Sequence, residues 1–391
     1  MIIGIDASRA FQKNKTGIEE YSYQVIKHLR EYLKNEEVVL YCNPAINKGE
    51  YTDPIKSRDA ESRQSVTFNG VNFDLPEGWK IKFLKAPIFW TQIRLSLEML
   101  FCPVDILFIP AHTVPLIHPK NTIVTIHGLE YEFCPKAYSF FERLYMRWSI
   151  RNSCRWAKRI IAVSGNTKKD LQKLYKVPKE KLEVISEGYG DAEFKTASQN
   201  SKFLNKKYFL FVGRLEERKN IIGIVDAFEV LKKKYKIPHK LILVGKYGYS
   251  GNKIKERVFG SEYKSDIILT GYISDDEKFY LLANADVFLF PTFYEGFGLP
   301  ILEAQRAGTP VVTSNVSSMP EVARLRQGSD GQSVYSAVLV DPNDTNAIAE
   351  AVYKLISDEG YKNGIIEKGL KNIERFSWEK CAREISGLLL K

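Results

Sequence analysis

The sequence predicts an α/β protein of two doubly wound parallel-sheet domains facing across a cleft. Three observations predict it. Short apolar runs alternate with stretches of helical periodicity through both halves of the chain. The runs are near-continuously apolar, which suits strands covered by helices on both faces. A length of 391 residues suffices for two domains of ordinary size. The first domain is expected at 1–187 and the second at 208–375, joined by a polar, glycine-containing linker at 188–207.

Ile2-Ile3-Gly4-Ile5 reads as the first buried strand, and Gly17 opens a helix with apolar positions Ile18, Tyr21, Val25, Ile26 and Leu29. Val38–Tyr41 is the second strand. Pro44 to Gly78 is polar and turn-rich, a long insertion, followed by a short strand at Ile81–Leu84 and a helix at Thr91–Phe101. Asp105–Pro110, Thr122–Ile126, Arg159–Ser164 and Leu182–Ile185 complete the strands of this half. Ser164 and Asn166 are candidate caps for the next helix. Residues 138–159 read as one long helix. On it Arg143, Arg147, Arg151, Arg155 and Arg159 recur every four residues and form a basic stripe beside Tyr145, Trp148 and Trp156. Such a stripe is either a surface for anionic lipid headgroups or a solvated face over an aromatic core side. In the second half, Tyr208–Val212, Lys240–Gly245, Ile267–Ile273, Ala285–Phe290, Val311–Thr313 and Val338–Val340 read as strands, with a helix from Ile221 to Leu231.

Composition narrows the class. Apolar residues make up 44% and charged residues 27%, as in globular proteins, and no run approaches a membrane-spanning length. The chain opens directly into a strand rather than a signal peptide. Five cysteines without paired spacing point to a reducing, cytoplasmic compartment and away from a disulfide framework or a zinc site. The net charge is +10, of which residues 1–187 carry about +7. A basic surface suits phosphorylated ligands or anionic lipid, and no nucleic-acid motif accompanies it. There is no Gly-x-x-x-x-Gly-Lys-Ser/Thr loop, no dinucleotide glycine fingerprint, and no Asp-x-Asp triplet to anchor a metal.

The most telling stretch follows the Ala285–Phe290 strand: Pro291-Thr292-Phe293-Tyr294-Glu295-Gly296-Phe297-Gly298-Leu299-Pro300-Ile301-Leu302-Glu303. Pro291 ends the strand, Gly296 and Gly298 let backbone approach a ligand, and Pro300 suits the first position of a helix. A helix N-terminus there would attract phosphate, while Glu295 and Glu303 suit sugar or ribose hydroxyls. Earlier, Gly213-Arg214 and Lys219-Asn220 flank another strand-to-helix loop, where two cations could neutralise a leaving diphosphate without a metal. His127-Gly128 ends a strand of the first half, and His112 follows another.

Glu295 through Glu303, followed by Ala307-Gly308-Thr309-Pro310-Val311-Val312, resembles the nucleotide-sugar signature of retaining family-4 glycosyltransferases with the GT-B fold. The resemblance spans nearly the whole chain. It implies that Arg214 and Lys219 assist the diphosphate, Glu303 binds the donor ribose, Glu295 binds sugar hydroxyls, and Gly213, Gly296, Phe297, Gly298 and Leu299 line the donor. It places the nucleobase by Tyr272 and Ile273, Gly17 near the pyrophosphate, and His127 against the donor sugar. Where relatives carry His-Asp, this chain has His127-Gly128. The segment Phe376-Ser377-Trp378 is similar to one that crosses back, so that residues 376–391 pack on the first domain. Gly4-Ile5-Asp6-Ala7-Ser8-Arg9 with Thr16-Gly17-Ile18 resembles bacterial mannosyltransferases of polysaccharide assembly. That implies GDP-mannose as donor, UDP-hexoses next, and a saccharide or lipid-linked saccharide acceptor, with no cofactor or metal. A nucleotide-sugar epimerase, a phosphorylase and a catalytically inactive sugar-nucleotide-binding domain are the competing readings.

Overall fold

Seven short strands build the first sheet: β1 (Ile2–Asp6), β2 (Glu37–Cys42), β3 (Trp79–Phe83), β4 (Ile106–Ile109), β5 (Thr122–Ile126), β6 (Arg159–Ala162) and β7 (Leu182–Val184). All neighbouring pairs are parallel, in the order β3-β2-β1-β4-β5-β6-β7. β4 and β5 are buried along their whole length, as strands covered on both faces must be. The computed structural model describes residues 1–12, 15–44, 64–68, 71–86, 88–189, 207–249, 251–327 and 333–391. Much of the expected insertion and linker lies outside these residues. The described part of the insertion is an antiparallel hairpin, Gln64–Phe68 with Val71–Leu75.

Two compact units result. The first comprises Met1–Gly128, Leu144–Gly188 and Ser377–Lys391; the second comprises Leu129–Arg143 and Tyr189–Phe376. In the first unit the helix Gly17–Leu29 begins at a capping box, in which the Thr16 N–H donates to Glu19 Oε2 at 3.1 Å. Its inner face carries Tyr21, Val25, Ile26 and Leu29, all fully buried. The helix Trp378–Leu389 covers that face. Its Trp378 ring meets Tyr21 edge-on at 5.9 Å, and Glu379 lies 3.2 Å from His28 Nε2.

Three local expectations are corrected here. The segment expected as a plain helix from Thr91 opens with a wider π turn, Trp90–Leu95, and becomes α-helical at Ser96–Phe101. The Trp90 indole donates to the Leu84 carbonyl (2.7 Å) and the Gln92 amide to that of Val114 (3.3 Å), anchoring this turn from two sides. The arginine-rich helix is Phe140–Trp156, shorter than expected. Arg159 is therefore off the stripe: it opens β6, donates to the Glu180 carbonyl and faces Glu183 at 3.5 Å. Arg143 is half-buried, which leaves Arg147, Arg151 and Arg155 as the exposed row. Ser164 caps the following helix by accepting from the Thr167 N–H, whereas Asn166 bonds Asp170 within the first turn.

The second unit repeats the design with β8 (Tyr208–Val212), β9 (Lys240–Val244), β10 (Ile267–Gly271), β11 (Val287–Phe290), β12 (Val311–Ser314) and β13 (Val338–Val340). These are parallel in the order β10-β9-β8-β11-β12-β13. Phe209, Leu210, Phe211, Val287, Phe288 and Phe290 form its fully buried centre. At the ends of β8 and β9 the backbones come closer than any side chain permits. A Cβ on Gly245, whose φ is +137°, would lie 1.9 Å from the Gly213 carbonyl oxygen. Among the described residues no helix is long and apolar enough to cross a membrane.

Candidate donor site

Because every strand of the second sheet points the same way, the loops after β8, β10, β11 and β12 emerge at one edge, where open α/β sheets bind ligands. Side chains tie these loops together. Asn220, with φ +58°, donates from Nδ2 to the carbonyls of Pro291 (3.0 Å) and Pro342 (2.7 Å). The glycine loop is cinched from the β12 end: Ser317 Oγ donates to the Glu295 carbonyl (2.6 Å), and Ser318 Oγ to those of Glu295 (2.8 Å) and Phe297 (2.6 Å). Sequence reasoning missed both serines; a Ser-Ser pair in the short loop after a buried strand was the available signal.

The loop then enters the helix Leu299–Arg306. Pro300 is its second residue rather than its first, where a missing N–H is equally harmless. Gly298 precedes it with φ +127°, and a Cβ there would press to 2.8 Å of the Met319 methyl. Glu303, the fifth residue of this helix, has its Oε1 at 3.0 Å from Lys278 Nζ. Lys278 also reaches Asp275 at 3.2 Å. Burial pulls the Lys278 pKa down, but Glu303 and Asp275 outweigh it and hold the ammonium charged.

The charged residues form one chain of contacts. Arg214 Nε meets Glu216 Oε1 at 2.9 Å, Arg218 Nε meets Glu216 Oε2 at 2.9 Å, and Arg218 meets Glu295 Oε1 at 2.8 Å. Lys219 binds the same Glu295 oxygen. Burial raises the Glu295 pKa, but Lys219 and Arg218 more than offset that and hold the carboxyl below its usual range. Burial, together with Arg218, lowers the Lys219 pKa against the pull of Glu295. Glu130 also acts on Arg218, so Arg214, Arg218 and Lys219 stand against Glu216, Glu295 and Glu130. The N–H groups of the glycine loop and of the helix N-terminus beside these cations suit an anion.

The sequence points to Arg214 and Lys219, yet Arg218 lies deeper than Arg214. Arg214 is 59% exposed at its side chain, while Arg218 is 15% exposed and makes the contact to Glu295. Lys219 is 9% exposed and also lies over the Phe290 ring. Tyr272 stands exposed just after β10, with Lys246 Nζ 5.2 Å from its ring centre and Ile273 half-buried beside it. Phe297 is buried edge-on against Phe376 at 5.6 Å and anchors the loop. Gly213 follows β8, Gly296 is buried within the loop, and Leu299 is half-buried at the helix start. Tyr294 packs against the segment after β5: Phe133 stacks on it at 4.5 Å, and its hydroxyl accepts from the Leu129 N–H.

The remaining expected residues lie in the first unit. Gly17 is the first residue of its helix, and a Cβ there would meet nothing within 4 Å. His127 is 7% exposed, with Nδ1 at 3.0 Å from Glu187 and Nε2 at 2.8 Å from the Pro110 carbonyl, so both ring nitrogens are engaged. His112, 5.2 Å away ring to ring, has a positive φ of 51° and a buried Nδ1 with no hydrogen-bond partner. Burial, then the neighbouring His127 and Arg9, push its pKa well below the usual histidine range, which keeps the imidazole neutral.

Two parallel-sheet α/β units define the GT-B fold. Solved structures agree. Sucrose-phosphate synthase from Thermosynechococcus elongatus aligns with a TM-score of 0.70 at 18% identity, covering 100% of this chain and 98% of that one. WaaG, a glycosyltransferase involved in lipopolysaccharide biosynthesis, aligns at 0.66 and 14%, covering 99% and 98%. Residues 15–191 match the model of Glycosyltransferase Family 4, and residues 193–372 that of Glycosyl transferases group 1. The O-antigen chain mannosyltransferase B of Escherichia coli is 32% identical over 272 residues, 68% of this chain and 69% of that protein. The O-antigen chain mannosyltransferase RfbU of Salmonella typhimurium is 26% identical over 264 residues, 68% of each. The chain therefore belongs to the family-4, group 1 glycosyltransferases, and it is an enzyme of glycosyl transfer.

Proposed function

We propose that the protein is a retaining mannosyltransferase. In this reading it moves mannose from GDP-mannose to a saccharide or lipid-linked saccharide during assembly of a cell-surface polysaccharide. The observation that carries the reading is the buried Arg218–Glu295–Lys219 cluster under the glycine loop, in a chain related to O-antigen mannosyltransferases. The donor diphosphate lies against Arg214, Arg218, Lys219 and the first N–H groups of the helix Leu299–Arg306. Gly213, Gly296 and Gly298 admit its backbone contacts. Tyr272 and Ile273 flank the base, Glu303 accepts from the ribose diol, and Glu295 accepts from a sugar hydroxyl.

The acceptor oxygen bonds the anomeric carbon on the face from which the diphosphate departs. The carbon–phosphate oxygen bond breaks, and the departing oxygen takes the acceptor's proton. The cations carry the developing charge, so this step calls for no metal or cofactor. His127, held at both nitrogens, orients the loop that meets the sugar.

Work on a lipid-linked acceptor places the enzyme on the cytoplasmic face of a membrane. Exposed Leu97, Leu100, Phe101, Leu116, Ile117 and Trp148 on the first unit support this, with Arg147, Arg151 and Arg155 supplying charge for anionic headgroups. The test is donor hydrolysis and thermal shift across GDP- and UDP-sugars, with and without a chelator. One donor that stabilises and turns over, insensitive to chelator and lost in Lys219→Ala and Glu303→Ala, supports the reading. Silence toward every nucleotide sugar overturns it in favour of an inactive domain.

A further inference from the structure

The backbone after β8 and β9 stays zipped beyond the strands. The Gly213 N–H donates to the Val244 carbonyl (3.0 Å), the Leu215 N–H to that of Lys246 (2.9 Å), and the Gly248 N–H back to that of Leu215 (3.0 Å). Leu215 is fully buried and also bridges to Tyr247. These bonds hold the loop that carries Arg214 as firmly as the sheet itself and fix where the next side chain, Glu216, can lie. Gly248 stands directly against it. A Cβ there would fall inside contact distance of Glu216 Cγ and 2.6 Å from its Oε1, so any larger residue at 248 displaces the carboxylate.

Glu216 is 8% exposed and divides its two oxygens between two arginines. Oε1 lies 2.9 Å from Arg214 Nε, and Oε2 accepts from Arg218 Nε at 2.9 Å. The arginines differ in what remains to them. Arg218 commits a terminal nitrogen to Glu295 at 2.8 Å. Arg214 has no partner besides Glu216 among the described residues, although its side chain is largely exposed. A guanidinium gripped at Nε is held by its inner edge, and the edge formed by its two terminal nitrogens stays available for paired contacts to phosphate oxygens. An exposed arginine without such a grip samples many rotamers and loses that freedom when it binds. A pair with both partners in solvent would fix nothing, but here the carboxylate is immobilised by Arg218 and by the wall at Gly248. Because the charges of the cluster balance, an anion is drawn by where the cations point rather than by net charge.

We propose that Glu216 is a positioning residue for glycosyl transfer: seated against Gly248 and locked by Arg218, it aims the terminal edge of Arg214 at the donor diphosphate. It touches neither sugar nor phosphate and acts through Arg214. The assignment rests on the nucleotide-sugar reading above and adds to it what orients the outer cation.

The experiment measures, by titration calorimetry on the full chain, the Kd of GDP and UDP and of the matching monophosphates. The ratio of diphosphate to monophosphate affinity reports contact with the terminal phosphate, whereas a general loosening of the site weakens both nucleotides together. Variants are Glu216→Met, which removes both acceptor oxygens at similar volume, Gly248→Ala, which keeps the carboxylate but pushes it aside, Arg214→Ala, and Glu216→Met combined with Arg214→Ala. Melting curves confirm that each is folded. The expected result is a ratio about tenfold lower in Glu216→Met, in Gly248→Ala and in Arg214→Ala, with no further fall when Glu216→Met is added to Arg214→Ala. Glu216→Gln, which keeps one acceptor oxygen, should fall between wild type and Glu216→Met. An unchanged ratio in Glu216→Met, a parallel loss of both nucleotides, or additive losses in the double variant would overturn the assignment. A wild type that binds neither diphosphate overturns it together with the transferase reading. A wild type that binds one, with a ratio indifferent to Glu216→Met, refutes the positioning role alone.

Discussion

Glu295→Gln removes the one carboxylate shared by Arg218 and Lys219, whose side chains are 15% and 9% exposed. Lys219 then loses its carboxylate partner, while Arg218 keeps Glu216 at 2.9 Å. Breaking a buried pair from one side costs about 3–5 kcal/mol, because the surviving charge cannot rehydrate. For a unit near 200 residues, each kcal/mol moves the midpoint by about 2–4 °C, so a loss of 3 kcal/mol lowers it by about 6–12 °C. The substitution also leaves a cationic pocket asking for an anion. Pyrophosphate or GDP should therefore raise the melting temperature of Glu295→Gln more than that of the wild type. The pH dependence has a definite sign. A carboxyl whose folded pKa is depressed contributes stability that is full above its unfolded pKa and is lost as pH falls through the folded value. The wild type should lose this contribution in acid, below the ordinary glutamate range, and the Gln variant should lack that component. The assay is thermal unfolding followed by tryptophan fluorescence, with and without pyrophosphate, from pH 3 to 8. A variant as stable as the wild type with an identical pyrophosphate shift would refute the argument.

Other outcomes are equally direct. Gly245→Ala forces a Cβ into the Gly213 carbonyl oxygen and should abolish soluble expression of the second unit, seen as aggregation or missing near-UV circular dichroism. Gly17→Ala meets open space and should leave the melting temperature within about 2 °C, while transfer falls at least tenfold if backbone at this helix start approaches the donor. Full activity would remove Gly17 from the site. Asn220→Ala frees two buried carbonyls and should cost about 2–3 kcal/mol in urea unfolding, with a raised donor KM. Reversing Arg147, Arg151 and Arg155 together to Glu should abolish co-sedimentation with phosphatidylglycerol vesicles and leave soluble-donor hydrolysis intact; unchanged sedimentation would leave the row a solvated face.

Strands and their order of burial were legible because continuous apolar runs such as Phe288–Phe290 and Leu107–Ile109 have few other fates. The glycine loop was legible for the same reason, since Pro291, Gly298 and Pro300 constrain backbone whatever surrounds them. Partnerships were not. Arg214 and Arg218 sit in one charge run, and only the short 3₁₀ turn at Glu217–Lys219 decides that Arg218 turns inward to Glu295. Glu303 looked free to meet a ribose because its partner, Lys278, is 25 residues earlier. The two histidines each follow a strand, yet burial engages both nitrogens of His127 and leaves one of His112 unmet.

The helix Trp378–Leu389 covers the inner face of the helix Gly17–Leu29, although more than 340 residues separate them in sequence. During synthesis the ribosome therefore delivers the whole second sheet before the first unit receives its final layer. Until then Tyr21 and its neighbours remain uncovered, and a nascent chain carries an open apolar face. A stop codon or protease cut just before Ser377 would leave the second sheet complete while stripping the first unit of its cover. The second sheet can therefore mature first, and the first unit receives its cover last.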